Sequence, residues 1–221
     1  MDMLSKRRTP IQAASHERIL RIATRLFAEH GYHGVSAREI AAATGLNIAT
    51  VHYHTGGKRE LYMQILRSLY QEEQAWVTGV LDHVGADVVK DAQALKSVLG
   101  ELLDTLIELL QRDLTRPRLY MRRWLEERDE LTPFEAELSI AVYKPLYELL
   151  AQAQQVGTIR ADLDLNVFLR SFYWMLYGYF VTGPVDWTAW WGDPNNRENL
   201  QAFKAYLHMY LITMLGLAPT A

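Results

Sequence analysis

Cysteine is absent from this chain altogether. Its absence excludes disulfide cross-links, thiolate zinc sites and a cysteine nucleophile, and it fits a reducing, cytoplasmic setting. Long apolar runs are missing too. The most apolar stretch, residues 171–184 (SFYWMLYGYFVTGP), is too short and too rich in tyrosine to span a bilayer. No apolar segment follows the basic Lys6-Arg7-Arg8, so neither a secretory signal nor a membrane partner is expected. No segment alternates apolar and polar residues as a half-buried strand does, and neither a repeat nor a low-complexity tract is present. Finally, there is no Ser/His/Asp arrangement, no phosphate-cradling loop with downstream support and no carboxylate constellation near the histidines. An enzyme is therefore not expected, and no cofactor or metal is implied.

What remains is helix. With 49% apolar residues in 221, the chain can bury a substantial core, in one large domain or in a small domain joined to a larger one. Ile19, Ile22, Ala23, Leu26 and Phe27 make one stripe of a helix over 16–30, with Ser15 as a candidate N-cap and Gly31 at its left-handed end. Ser36 and Glu39 have capping-box spacing and start a second, short helix that presents Ile40 and Ala41. Gly45 breaks it. Asn47 can cap a third helix over 48–54, which Gly56-Gly57 ends, and a long amphipathic helix runs from Lys58 to beyond Val80. Further helical patterns lie near 91–113, 117–128, 133–156, 163–181 and 195–216, the last with Asp193 as expected cap and Pro194 at the first position.

Charge is distributed unevenly along this framework. Residues 1–60 hold nine Lys/Arg against five Asp/Glu, a balance of +4, whereas the remainder holds 14 against 21, a balance of −7. A basic head on an acidic body suggests that only the head meets a polyanion. Two short helices joined by a tight glycine turn match a helix-turn-helix, with Ala41 at the crossing and Val51 closing a small core with Ile40 and Leu46. An ordinary helical hairpin in a core has the same spacing, so the polar residues must decide.

The informative stretch is His52-Tyr53-His54. Residues two apart on a helix point about 200° apart, so the two histidines cannot ligate one metal there. On a DNA-reading helix the segment makes sense. Ile48, Ala49 and His52 form a front suited to base edges. Thr50, Tyr53 and Lys58, with Arg38 from the preceding helix, suit phosphates, as do the amides that Ser36 and Asn47 cap. Lys6, Arg7 and Arg8 form a basic arm adding nonspecific affinity.

Residues 18–61 resemble the tetracycline-repressor (TetR) family of bacterial transcriptional regulators. The resemblance rests on Leu26-Phe27-Ala28-Glu29, Gly31-Tyr32, Arg38, Ile40-Ala41, Gly45, Thr50-Val51, His54, Lys58 and Leu61. It departs at His52, Thr55 and Arg59, where the family prefers tyrosine, phenylalanine and glutamate. His54 sits where the family keeps a positioning histidine. The resemblance implies an all-α fold: an N-terminal three-helix helix-turn-helix DNA-binding domain plus a C-terminal helical ligand-binding and dimerisation domain. The expected division is a flexible basic arm over 1–14, the DNA-binding domain over 15–60 and the body over 61–221. It further implies a homodimeric repressor joined through the last two helices, bound to a near-palindromic double-stranded operator and released by a small-molecule effector. The body's aromatics suit a hydrophobic or aromatic effector, with Tyr120, Trp124, Tyr143, Tyr147 and Tyr177 as candidate pocket residues. Arg122, Arg123 and Arg128 read as a solvated face, with contact to an acidic effector as the alternative. The tryptophan-rich loop 186–191 is expected to be buried, over the pocket or against a partner subunit. The alternative is a helical small-molecule carrier or sensor that does not bind DNA.

Overall fold

A computed structural model describes residues 10–126, 129–188 and 190–217. The described chain is helical throughout, as expected, apart from one small ribbon. The head comprises α1 (Pro10–His30), α2 (Ala37–Thr44) and α3 (Ile48–Thr55). α4 (Lys58–Leu81) leads out of it into α5 (Ala92–Arg112), α6 (Thr115–Leu125), α7 (Thr132–Gln155), α8 (Leu165–Thr182) and α9 (Arg197–Leu215). A single 3-10 turn (Ala86–Lys90) precedes α5.

The head is organised by its punctuation. Ser36 and Glu39 form the reciprocal capping box: the Glu39 amide donates to Ser36 Oγ at 3.2 Å, and the Ser36 amide donates to Glu39 Oε2 at 2.6 Å. Gly45 ends α2 at φ +65°, a conformation that would strain any side chain. Asn47 then caps α3 by accepting the Thr50 amide at 2.7 Å. Ile19, Ala23, Phe27, Ile40, Ala41 and Val51 are buried between the three helices, together with Leu61, Tyr62 and Ile65 of α4. Phe27 meets the Tyr62 ring edge-on at 4.8 Å, so the head core continues directly into α4.

Two helix starts differ from expectation. α1 begins at Pro10, and Ser15 lies inside it, because proline is pre-set for a first helical turn. α9 begins at Arg197, with Asn196 as the cap that accepts the Glu198 and Asn199 amides. Asp193 is instead used one turn earlier, where its carboxylate accepts the Asn195 amide at 2.8 Å and holds Pro194 in a turn.

Between α8 and α9, Val185–Asp186 (β1) pairs antiparallel with Trp190–Trp191 (β2). Two of the loop's tryptophans are exposed, Trp187 by 87% and Trp191 by 62%. The expected burial of this loop therefore does not occur within one chain. A two-residue ribbon is too narrow to fold its own side chains under cover.

The body packs around α4. Its long helix lies against α7 and α5, while α6 lies against both α1 and α8. α6 therefore touches the head on one side and the body core on the other.

Candidate DNA-reading surface and effector cavity

α3 has two unlike faces. Val51 and Thr55 are buried, whereas Ala49 and His52 are exposed, Ile48 is 38% exposed and Tyr53 76%. A helix anchored by one side, with small and apolar groups on the other, has the form of a major-groove reader. Ser36, Arg38 and Asn47 are also exposed around it, and Thr50 is half-buried. The structure thus brings the α2 and α3 candidates to one end of the molecule. His52 rests its ring against Gly57, where an added Cβ would lie 3.2 Å from Cε1.

His54 and Lys58 stand apart from that surface. His54 is half-buried, and its carbonyl accepts from His16 Nδ1 on α1 at 3.1 Å, a positioning contact. Lys58 holds its ammonium 4.4 Å from the centre of the Tyr32 ring. Burial lowers its pKa, and Glu39 and Glu126 pull it back. Thr55 uses hydrogen bonds where a phenylalanine would use packing. Its hydroxyl donates to Val51 O at 2.8 Å and accepts the Gly57 amide at 3.3 Å, which pins the turn into α4.

Head and body are locked by polar contacts from α6. Glu126 Oε1 accepts the Tyr32 amide at 3.2 Å, and Arg122 Nε donates to Ala28 O at 3.3 Å. Arg123 is not on a solvated face: it is 5% exposed and bonds Asp129, Glu135 and Glu126 at 2.6, 2.7 and 3.2 Å. Burial alone would lower its pKa, but these carboxylates hold it above the ordinary arginine value. Burial also separates it from its neighbour Arg122, which is exposed. Arg128 lies outside the described residues.

Two hollows of the body lie near the aromatic candidates. An open cleft between α6, α7 and α8 is lined by Trp124, Tyr143 and Tyr147, with Lys144 and Arg170 at its edges. The other is a cavity of about 60 Å³ between α4, α5, α7, α8 and α9. Leucines and phenylalanines line it, with Glu73, Trp76, Thr105 and Tyr173 among them. Of the five aromatic candidates, Tyr120 and Tyr177 line neither hollow. Both are fully buried and pack edge-on at 5.6 Å behind the cleft.

Sequence reasoning missed Glu73. It is 2% exposed, and its Oε1 accepts the Tyr177 hydroxyl at 3.1 Å. Burial raises its carboxyl pKa, while Arg116 and the hydroxyls of Tyr177, Tyr120 and Tyr143 partly restrain the rise. A signal was available: Leu66, Tyr70, Glu73 and Val77 are spaced three and four apart, so an acid stands on the apolar stripe of α4.

The comparisons agree with this geometry. Residues 19–65 match the sequence model of bacterial regulatory proteins of the TetR family. The chain is 25% identical, over 83% of its length and 86% of the relative's, to the HTH-type transcriptional repressor AcnR of Corynebacterium diphtheriae. It is 24% identical to the repressor KstR2 of Rhodococcus jostii, over 75% of this chain and 79% of that one. Its fold is similar to that of the fatty acid degradation regulator FadR of Bacillus halodurans, with a TM-score of 0.67 and 18% identity over 94% and 97% of the two chains. FadR of Bacillus subtilis, solved with stearoyl-CoA, matches with a TM-score of 0.62 and 18% identity over 90% and 98%. The small three-helix head that carries α3 thus coincides with residues 19–65, the segment that matches the TetR family model, and the helical body behind it is shared with solved regulators of the same fold.

Proposed function

We propose that the chain works as a homodimeric repressor on a near-palindromic operator and releases it when a small apolar effector enters the body. The observation that carries this reading is the course of α4. Its first turns, through Leu61, Tyr62 and Ile65, belong to the head core, and its later residues Glu73, Trp76 and Val77 form a wall of the cavity. A cavity of about 60 Å³ is small beside the roughly 300–1,000 Å³ of pockets for drug-sized ligands. A ligand that fills it must therefore move its walls, and moving α4 moves the head. Release then follows by population shift, because the effector binds the spread geometry better.

Dimerisation is supported by two outward stripes. Val167, Ser171, Trp174 and Gly178 on α8, and Ala202, Tyr206, Met209 and Thr213 on α9, carry no charge. Val167 is 62% exposed, Met209 57% and Tyr206 46%, which favours coverage by a second copy. The exposed Trp187 and Trp191 suit the same partner. The division into a basic arm over 1–14, a DNA-binding unit over 15–60 and a body over 61–221 belongs to this proposal. So do the roles of Ser36, Arg38, Asn47, Ile48, Ala49, Thr50, His52, Tyr53, His54 and Lys58 on DNA.

A gel shift with the DNA upstream of the protein's own gene tests the reading. We expect salt-sensitive retardation of a palindromic fragment by a dimer. No retardation even at low salt would favour the carrier alternative and end the repressor reading.

A further inference from the structure

Glu73 is a buried acid with half of its hydrogen-bonding capacity unused. Oε1 is satisfied by Tyr177, but Oε2 has no partner at hydrogen-bond geometry among the described residues. Leaving a buried polar atom unpaired is costly, and such an atom marks a place where another molecule completes the set. The neighbouring cation does not complete it. Arg116 is itself buried, donates to Leu69 O at 2.8 Å and is bonded to Glu72. One guanidinium thus stands near two carboxyls, and its hydrogen bonds go to Glu72 and the backbone.

We infer that the cavity Glu73 lines takes an apolar amine, with its ammonium against Glu73 and its hydrocarbon chain among the leucines. This assignment rests on the body being the effector-binding unit. An ammonium there donates to Oε2, and the Tyr173 ring, which also lines the cavity, offers a π-face to a cation. It also balances the surplus carboxyl charge. A carboxylate or phosphate head would face the Glu73 carboxyl in a low-dielectric site whose nearby guanidinium, Arg116, already bonds Glu72 and Leu69 O. The slim, leucine-lined space favours an aliphatic chain over fused rings.

Three probes of equal length separate the possibilities: hexylamine, 1-hexanol and hexanoate, each titrated calorimetrically into the full chain with no DNA present. Charge-assisted hydrogen bonds are roughly twice as strong as neutral ones, so hexylamine should bind about tenfold or more tighter than hexanol, and hexanoate weakest. Glu73→Gln should bring the amine down to the level of the alcohol. Because that variant could fold poorly, the ranking on the unmodified chain stands as a test by itself. Hexanoate binding as tightly as hexylamine, equal binding of amine and alcohol, or no binding of any probe overturns the inference. A gel shift with hexylamine is read separately. Retarded DNA that the bound amine does not release removes the effector reading while leaving the chemistry of the cavity in place.

Discussion

The carboxylate of Glu126, the residue that caps the C-terminus of α6, accepts the backbone amide of Tyr32, 3.2 Å away just past the end of α1. One side chain thus ties the body to the head where the chain turns toward the reading helices. Gly31 leaves room for it. Its φ is +74°, and an added Cβ would lie 2.5 Å from Glu126 Oε1 and 3.2 Å from Arg122 Cδ.

Gly31→Ala is therefore expected to destabilise on two counts, backbone strain and a displaced Glu126. About 1–3 kcal/mol is the scale for a residue held in a sparsely populated backbone region. Chemical denaturation reads the loss, and unchanged stability would show that the head docks without this contact.

Arg123 should be among the least replaceable residues of the body. Removing one partner of a buried ionic group costs about 3–5 kcal/mol, and Arg123→Met would leave Asp129, Glu135 and Glu126 facing one another. Denaturant unfolding is expected to lose that much, with little relief from salt because the site is buried. A loss below about 1 kcal/mol would place the network among weak surface pairs.

On DNA, changes at Ile48 or His52 should alter which operator sequence is preferred, whereas Tyr53→Ala and Lys58→Ala should weaken all sequences alike. Competition gel shifts on operator variants separate the two patterns. Lys58 carries an added expectation: it must leave the Tyr32 ring to reach a phosphate, so its substitution should affect DNA binding less than that of Tyr53. Uniform losses from all four substitutions would refute the division of roles.

The buried Glu73 predicts a pH dependence of stability. Its folded pKa lies above its unfolded one, so the folded chain holds the proton more tightly. That stabilisation is complete below the unfolded carboxyl range and is lost as pH rises through the folded value. Arg116, Tyr120, Tyr143 and Tyr177 face the group, and Glu135 is raised as well, so the comparison must isolate Glu73. Glu73→Gln, which mimics the protonated form, should gain stability relative to the unmodified chain as pH increases. Parallel melting curves across the pH range would remove the prediction.

Charge on the α8 or α9 stripe should separate the protomers. Trp174→Glu or Met209→Glu is expected to give a folded monomer by light scattering that has lost most operator affinity, since each half-site alone binds weakly. A dimer that survives both substitutions would move the interface elsewhere.

Much of the head was legible because its determinants are local. Caps at Ser36 and Asn47, positive-φ glycines at 31, 45 and 56, and the three-four spacing of Ile19, Ala23 and Phe27 act within a few residues of themselves. Helix boundaries in the body were mostly legible for the same reason. Before α9 the sequence favours Asp193 as the cap, whereas the structure uses Asn196 three residues on.

The sequence by itself determined an all-α chain with a basic head, and helix geometry argued against a chelating pair at His52 and His54. Only the tertiary structure decided what the body's polar residues do. Tyr120 and Tyr177 are buried packing, Arg123 is the hub of three carboxylates rather than a solvated charge, and Glu73 is a sealed acid in an apolar wall. The reason is physical: capping and periodicity are fixed by neighbours along the chain. The environment of a charge is fixed by residues far from it in sequence, such as Tyr177 for Glu73 and Asp129 and Glu135 for Arg123.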